Sequence, residues 1–563
     1  MDPSSNDTSD VLTSKAAGFL IRWAPMLALA PLIILLLVLF AWPIAGVIGN
    51  SFGEDDLSLA IYEKALSSAV YRQIFYNTLQ IAVLVTIGTL LISYPFAYVM
   101  ATVSPKMAKI LTFVVLLPFW TSALVRTAAW VILLQRQGVV NVLLTSAGLI
   151  DEPIRFLYNL SGVLIGMIHV LMPFMVFPLY GAFRSIDGRL LQAAKGLGAG
   201  PWRSFLRVVL PLSAPGVAAG VLIVFMTAIG YYITPSLMGG PKQTMIAQMI
   251  AYHMQEQLDW GMAAALAVIL LIATMTIFAV FQRFFGFDRM FSGQDSGEPL
   301  RQEGAGNPFQ RMIFLVCASA AALFLVAPII VVLPMSVSAS PFIRFPPNAF
   351  TLDWFENLLE VPKWGAAFLS SIQVAGIAVS LSLALGTSAA IGLSRLKSPS
   401  KSLIEAFILT PLIIPPIIVA VGLYHLFAPI GLVGTKFGLA ISHSLLATPF
   451  VFITVRASLR GFDKNMELAA IGLGAKWSTM FLRVMLPSIW PGLVAGGIFA
   501  FITSFDDVIL AIFLTDVHTR TLPRVIYEGI RYDTDPTIVA VAALMIFVSI
   551  AVLLINLILE RRR

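Results

Sequence analysis

The stretch QAAKGLGAGPWRSFLRVVLP at residues 192–211 returns at 468–487 as LAAIGLGAKWSTMFLRVMLP, without a gap and with about 12 identities in 20. The correspondence continues past the stretch: Pro215, Gly216 and Gly220 fall opposite Pro491, Gly492 and Gly496. Each copy is a polar, glycine-punctuated segment carrying Lys and Arg between long apolar runs. An Ala-Ala pair (Ala193 and Ala194, or Ala469 and Ala470) supports a helix, and Gly196 and Gly198, or Gly472 and Gly474, permit a turn. A second amphipathic stretch then closes on Pro211 or Pro487, where the chain re-enters an apolar segment. The pattern predicts helix, turn, helix. Leu197, Trp202, Leu473 and Trp477 offer apolar anchors for a partner's groove, and the small residues let its surface approach closely. A docking loop is the reading; an amphipathic helix lying on the bilayer is the alternative.

The apolar runs around the loops place the chain in the membrane. Of 563 residues, 58% are hydrophobic and only 12% charged, which excludes an ordinary soluble domain. A spanning helix needs roughly 20 apolar residues, and stretches meeting that test number about 12. The first follows the polar opening MDPSSNDTSD and runs on without a small-residue cleavage site, so it reads as a retained anchor. The fold expected is an all-α polytopic bundle of about 12 transmembrane helices. The lone Cys317 excludes an intrachain disulfide and a cysteine metal cluster.

A net charge of +7 raises nucleic acid as a partner, but the placement of the charge points to membrane orientation. With the N-terminus inside, about 24 basic residues fall on the cytoplasmic side and about 12 outside. Both termini and both loops are then cytoplasmic. Acidic residues run the other way, about 12 inside against about 17 outside, which mildly favours a cationic ligand or merely mirrors the topology. Six spans separate equivalent positions, so the halves are parallel repeats, 1–283 with TM1-6 and 312–563 with TM7-12. The polar, Gly-rich segment 284–311 links them in the cytoplasm. Two equivalent loops on one face suit a partner that is itself a pair of equivalent subunits.

Both loops resemble the cytoplasmic EAA loop of ABC importer permeases, with its Ala-Ala, its later Gly and its closing Leu-Pro. The resemblance implies type I importer-like transmembrane domains in a bacterial inner membrane. It implies a coupling helix in each loop that seats in one of two copies of a cytoplasmic ATPase subunit. It also implies an extracytoplasmic solute-binding protein that delivers ligand to the outer side. The docking positions it assigns are Ala193, Ala194, Gly198, Trp202 and Pro211, with Glu467, Ala469, Ala470, Gly474, Trp477 and Pro487 in the second copy. One departure is that Gln192 and Leu468 stand where the motif commonly has Glu, with Glu467 adjacent. The chain has no G-x-x-x-x-G-K-[ST] stretch to cradle phosphates, so ATP and Mg are expected on the partner ATPase and no cofactor on this chain.

Inside the membrane, Asp506 and Asp507 in SFDDVILAIF are the most informative residues, because a mid-membrane acid costs on the order of 3 kcal/mol. Consecutive helix positions lie about 100° apart, so one can face a solute path while its neighbour pairs with another helix. The repeat sets Gly230 and Tyr231 opposite them, and with Tyr232 this makes a candidate ammonium cradle. The alternatives are pairing of the acids with Arg520 or Arg524, and interfacial packing of the tyrosines. Glu528, Asp533 and Asp535 either extend an acidic entry path or form a solvated loop. His169, His425 and His443 lack ligand spacing and read as packed residues, and Arg126 reads as a side chain that snorkels.

The two halves also resemble the two permease subunits of spermidine/putrescine importers, the second through its Ser-Phe-Asp-Asp segment. A polyamine or related organic cation is the solute expected on that resemblance. Fused permeases also serve ferric iron, thiamine and aminoethylphosphonate. From another class, an ion-coupled secondary transporter remains the rival, and it would work without an ATPase. An enzyme is disfavoured, since no nucleophile with a base stands out.

Overall fold

The structure is a computed structural model, and it describes residues 24–53, 58–285, 308–340, 347, 349–532 and 535–561. In the first repeat the helices are α1 (Ala24–Asn50), α2 (Ala60–Ser67), α3 (Ala69–Thr102), α4 (Pro105–Trp120), α5 (Ala123–Leu134) and α6 (Val139–Ser146). They continue as α7 (Leu160–Arg184), α8 (Gly188–Gly196), α9 (Pro201–Leu212), α10 (Ala214–Ile229), α11 (Ile233–Met238), α12 (Ile246–Tyr252) and α13 (Trp260–Phe285). The second repeat begins with α14 (Pro308–Met335), α15 (Asp353–Glu360), α16 (Pro362–Arg395), α17 (Lys401–Leu412), α18 (Pro416–Phe427) and α19 (Lys436–Arg460). It ends with α20 (Lys464–Gly472), α21 (Trp477–Phe505), α22 (Ile509–Leu514), α23 (Leu522–Tyr532) and α24 (Thr537–Arg561). Among the described residues the only β pairing is an isolated bridge between Ser338 and Phe350.

Helices satisfy their own backbone polar groups, which is what hydrocarbon demands. The repeat is visible in element lengths. Helices α3 and α16 both have 34 residues, α7 and α19 both 25, α8 and α20 both 9, and α11 and α22 both 6. The main departure is the connection from α5 to α7, which carries the extra helix α6, whereas residues 428–435 join α18 to α19 directly.

The expected count of about 12 spans is not confirmed among the described residues. Among the described residues nine helices are long and apolar enough to cross, or up to eleven if each bent pair is one span. The bent pairs are α9 with α10, at 58°, and α17 with α18, at 91°. Proline explains both. Pro415 and Pro416 supply no N–H at the sharper bend, and Pro215 supplies none just after the milder one, where Ser213 closes α9 on the Val209 carbonyl. The last helix, α24, is apolar in sequence from Ile538 to Leu559 apart from Ser549 and Asn556.

The helices form two compact units that do not follow the sequence repeats. One gathers Met1–Val47, Ala366–Ile414 and Val419–Leu522; the other gathers Ile48–Gly365, Pro415–Ile418 and Pro523–Arg563. In the first unit α1 packs on second-repeat helices: a Cβ at Gly392 of α16 would meet the Pro25 carbonyl oxygen at 2.6 Å, and one at Gly422 of α18 would meet the Pro43 carbonyl carbon at 3.1 Å. In the second unit α14 packs on first-repeat helices α3, α4 and α5. The first span of each repeat therefore serves the other repeat's helices. Most of the linker read at 284–311 lies outside the described residues.

Each unit has a close helix crossing made by a G-x-x-x-G spacing that the sequence reading did not single out. In the second unit Gly216 and Gly220 of α10 face Pro178 and Met175 of α7, a Cβ at Gly216 falling 2.8 Å from the Pro178 carbonyl oxygen. In the first, Gly492 and Gly496 of α21 face Thr454 and Val451 of α19, a Cβ at Gly492 falling 2.7 Å from the Thr454 carbonyl oxygen. Small residues let backbones approach where lipid gives no hydrophobic drive. Because the obstructing atoms are backbone, overpacking there is expected to cost at least about 1–3 kcal/mol. Gly492→Leu should therefore reduce the folded fraction surviving heating in detergent. Gly497→Leu should be tolerated, since the nearest atom to a Cβ there is a Leu383 methyl at 3.6 Å. Equal heat stability of the two variants would refute this account.

Candidate functional site

The two loops fold alike to the level of single hydrogen bonds. Asp187 and Asp463 cap α8 and α20, accepting from the backbone N–H of Arg189 and Asn465 at 2.9 Å each. Each helix ends on a leucine, Leu197 or Leu473, followed by Gly198 at φ +79° or Gly474 at φ +83°. Such angles suit glycine and strain other residues, so these two positions set the reversal. The closing bonds match: Ala199 N–H to the Ala194 carbonyl at 2.9 Å, and Ala475 N–H to the Ala470 carbonyl at 3.0 Å. The turn leaves Leu197 and Leu473 each 89% exposed, so neither contributes to packing in its own unit.

The remaining predicted loop residues divide. Trp202 and Trp477 are exposed on one face and stacked by the other on the equivalent phenylalanines, Trp202 on Phe205 at 5.8 Å and Trp477 on Phe481 at 5.4 Å between centroids. Phe205 is rooted among Tyr98 and Phe314, each at 5.6 Å or less. Both phenylalanines open a wide π-helical turn, Phe205–Val209 and Phe481–Met485, before Pro211 and Pro487 lead into the span. Ala193 and Ala469 are exposed, and Ala194 and Ala470 are half-exposed. Glu467 is tied within its own unit, its carboxylate 2.8 Å from the Arg395 guanidinium of α16. The partner lies 72 residues away in sequence, so no local pattern reveals it.

The second predicted cluster sits at a break that hydropathy does not show. Span five stops at Ile229 and restarts as α11 at Ile233; its counterpart stops at Phe505 and restarts as α22 at Ile509. Asp506 is the C-cap of α21. The carboxyl of Asp507 accepts from the Leu510 N–H at 2.8 Å, which caps the short helix that follows. It also lies 3.5 Å from His443 Nε2, and the other ring nitrogen of His443 is 2.8 Å from the Ser504 hydroxyl. His443 is thus a hydrogen-bonded core residue.

Tyr231 and Tyr232 belong to the other unit. Tyr232 is buried, its hydroxyl 2.9 Å from that of Tyr527. Arg531 donates to Tyr527 at 2.9 Å and reaches Tyr232 at 3.5 Å. Tyr231 is half-exposed. Gly230 packs on Pro415, whose Cγ would lie 2.7 Å from an added Cβ. Of the outer acids, Glu528 is 2.8 Å from Arg524 and Asp535 is 3.5 Å from Lys363; Asp533 lies outside the described residues. Arg126 does not snorkel: it is buried, with a guanidinium nitrogen 3.5 Å from the Val170 carbonyl.

Beyond α22 the loop is ordered by Asp516. The Thr519 hydroxyl, then the backbone N–H groups of His518 and Thr519, hold its carboxyl below the usual range. A depressed carboxyl favours the folded loop above its ordinary pKa, and that contribution is lost as pH falls through the lowered value.

An all-helical, multi-pass membrane chain with two matching loops and two matching span breaks is the architecture of a transport permease built from two repeats. The family model described as "Binding-protein-dependent transport system inner membrane component" matches it twice, over 93–288 and 382–563. The chain belongs to that family, and is a multi-pass inner-membrane protein. Its relatives include the spermidine/putrescine transport system permease protein PotB of Haemophilus influenzae, 35% identical over 235 residues, covering 42% of this chain and 82% of the relative. PotB of Escherichia coli is 36% identical over 256 residues, covering 44% and 93%. PotC of H. influenzae, a permease protein of the same kind of system, is 29% identical over 215 residues, covering 38% and 84%. Each relative spans about half of this chain, consistent with a fusion of two permease subunits. Among solved structures, a bacterial ABC transporter that imports alginate is 20% identical, covering 48% of this chain and 98% of that one, with a TM-score of 0.41.

Proposed function

We propose that this chain is a two-repeat permease of an ATP-driven importer of spermidine, putrescine or a closely related organic cation. The observation that carries the reading is the pair of superposable loops, each presenting a leucine 89% exposed on a glycine-set turn. Two copies of a cytoplasmic ATPase subunit seat on them, and ATP and Mg are bound there rather than on this chain. The termini lie in the cytoplasm, as the distribution of Lys and Arg favours. An extracytoplasmic binding protein hands over the solute. The names of the PotB and PotC relatives support the polyamine.

In this mechanism the ATPases act through each loop on the span that continues from it, the fifth or the eleventh, and alternate its conformation. Asp506 and Asp507 at the break of the eleventh span, and Tyr231 and Tyr232 at that of the fifth, are the residues we assign to solute contact. At the break after α21 the Asp506 carboxylate joins the partial negative charge of the last helical carbonyls, a combination suited to an ammonium group. The test is uptake into liposomes. The chain alone should accumulate no radiolabelled spermidine, and addition of ATPase subunits, ATP and loaded binding protein should produce accumulation. Accumulation without the ATPase would overturn the reading and favour an ion-coupled carrier.

A further inference from the structure

Helix α23 carries a cation whose surroundings match no ordinary ion pair. Arg531 donates to the Tyr527 hydroxyl at 2.9 Å and lies 3.5 Å from that of Tyr232, the residue that ends the break in span five. Its other terminal nitrogen is 3.8 Å from Glu256, and its guanidinium carbon is 5.3 Å from the Tyr532 ring centroid. The Tyr527 hydroxyl also donates to Ser236 of α11 at 3.3 Å. The guanidinium thus joins α23 to the broken span and to the segment after α12, all within one compact unit.

The seat is loose where a structural ion pair would be tight. Arg524, one turn earlier, meets Glu528 at 2.8 Å, whereas the carboxylate facing Arg531 stands a full ångström further off and its side chain is 55% exposed. Two hydroxyl acceptors, one distant carboxylate and one aromatic ring are a set that holds a cation without fixing it bidentately. They are also the groups that would hold an alkylammonium. The arrangement is not a packing feature of the repeat, because Ala251 and Gln255 stand at the matching positions of the first half.

We propose that Arg531 is a resident cation that substitutes for the solute: its guanidinium latches α23 to the end of the broken fifth span, and an arriving organic cation opens the latch by competing for the same tyrosines and Glu256. This rests on the organic-cation reading above. Arg531 is accordingly a positioning residue that sets the balance between closed and open outer states.

The test uses the full transporter in lipid nanodiscs and reads ATP hydrolysis without solute, which does not depend on the identity of the cargo. Removing the latch shifts the resting population toward the open state, so Arg531→Met should raise basal hydrolysis about tenfold. Spermidine-loaded binding protein should then add little. Arg531→Lys, which keeps the charge and loses the fork, should fall between, and Tyr527→Phe should move in the same direction as Arg531→Met. Should Arg531→Met fail to accumulate, the latter two variants decide alone. A basal rate at or below wild type in the variants that assemble overturns the latch. Failure of spermidine-loaded binding protein to stimulate the wild-type complex would instead refute the polyamine reading, and the basal comparison would still decide the latch.

Discussion

With Leu197 and Leu473 both changed to Asp, uptake is expected to fall below detection while the chain still accumulates in the membrane at its normal level. Neither leucine packs on its own unit, since each is 89% exposed at the tip of its loop, so folding has little to lose. Docking loses a great deal. Burying one leucine side chain in a partner's groove stabilises by about 1.5–3 kcal/mol, and two loops double that before the cost of desolvating an aspartate is counted. Either change alone leaves one handle intact and should reduce uptake less. Co-purification of the ATPase with the permease checks the argument directly. An intact complex carrying both changes would mean that the loops are not what the ATPase grips.

The second large effect is expected at the break after α21, where the two acids should part company. Asp506→Asn should lower uptake by at least about tenfold, because one negative charge is removed from a site already biased toward cations by the helix end. Asp507→Asn should mainly lower stability, since its carboxyl faces His443 and caps α22. Loss of a cap costs on the order of 1 kcal/mol. Thermal unfolding in detergent and initial uptake rates separate the two. The assignment fails if Asp506→Asn transports normally and Asp507→Asn does not.

Loop geometry was legible in the sequence because it is local. Ala-Ala, the glycine at the reversal and the closing Leu-Pro all act within twenty residues, and the duplication tests the reading against itself. The break after Phe505 was not legible, since hydropathy continues through Val508 and Ile509 as if one helix ran on. In retrospect the signal was present: adjacent acids in mid-span, opposite a glycine in the other copy. The G-x-x-x-G crossings were equally visible as spacing, but their meaning depends on which helix lies opposite. Apolar pattern identifies a span and is silent about its neighbours. For the same reason Glu467, read as a docking acid, could not be foreseen beside Arg395, nor Arg126 in the interior beside Val170.

The exchange of first spans between the repeats has a consequence for how the protein is made. Helix α1 leaves the ribosome early, yet the first of the helices it packs against, α16, begins only at Pro362. At about 5–20 residues per second, that interval lasts roughly 15–60 s, during which α1 waits in the bilayer with its packing face against lipid. A nascent chain arrested after the first repeat would therefore hold an orphan helix, and α3, α4 and α5 would lack the covering that α14 provides. Joining both repeats in one polypeptide guarantees that the missing pieces arrive, in equal number and in the same patch of membrane.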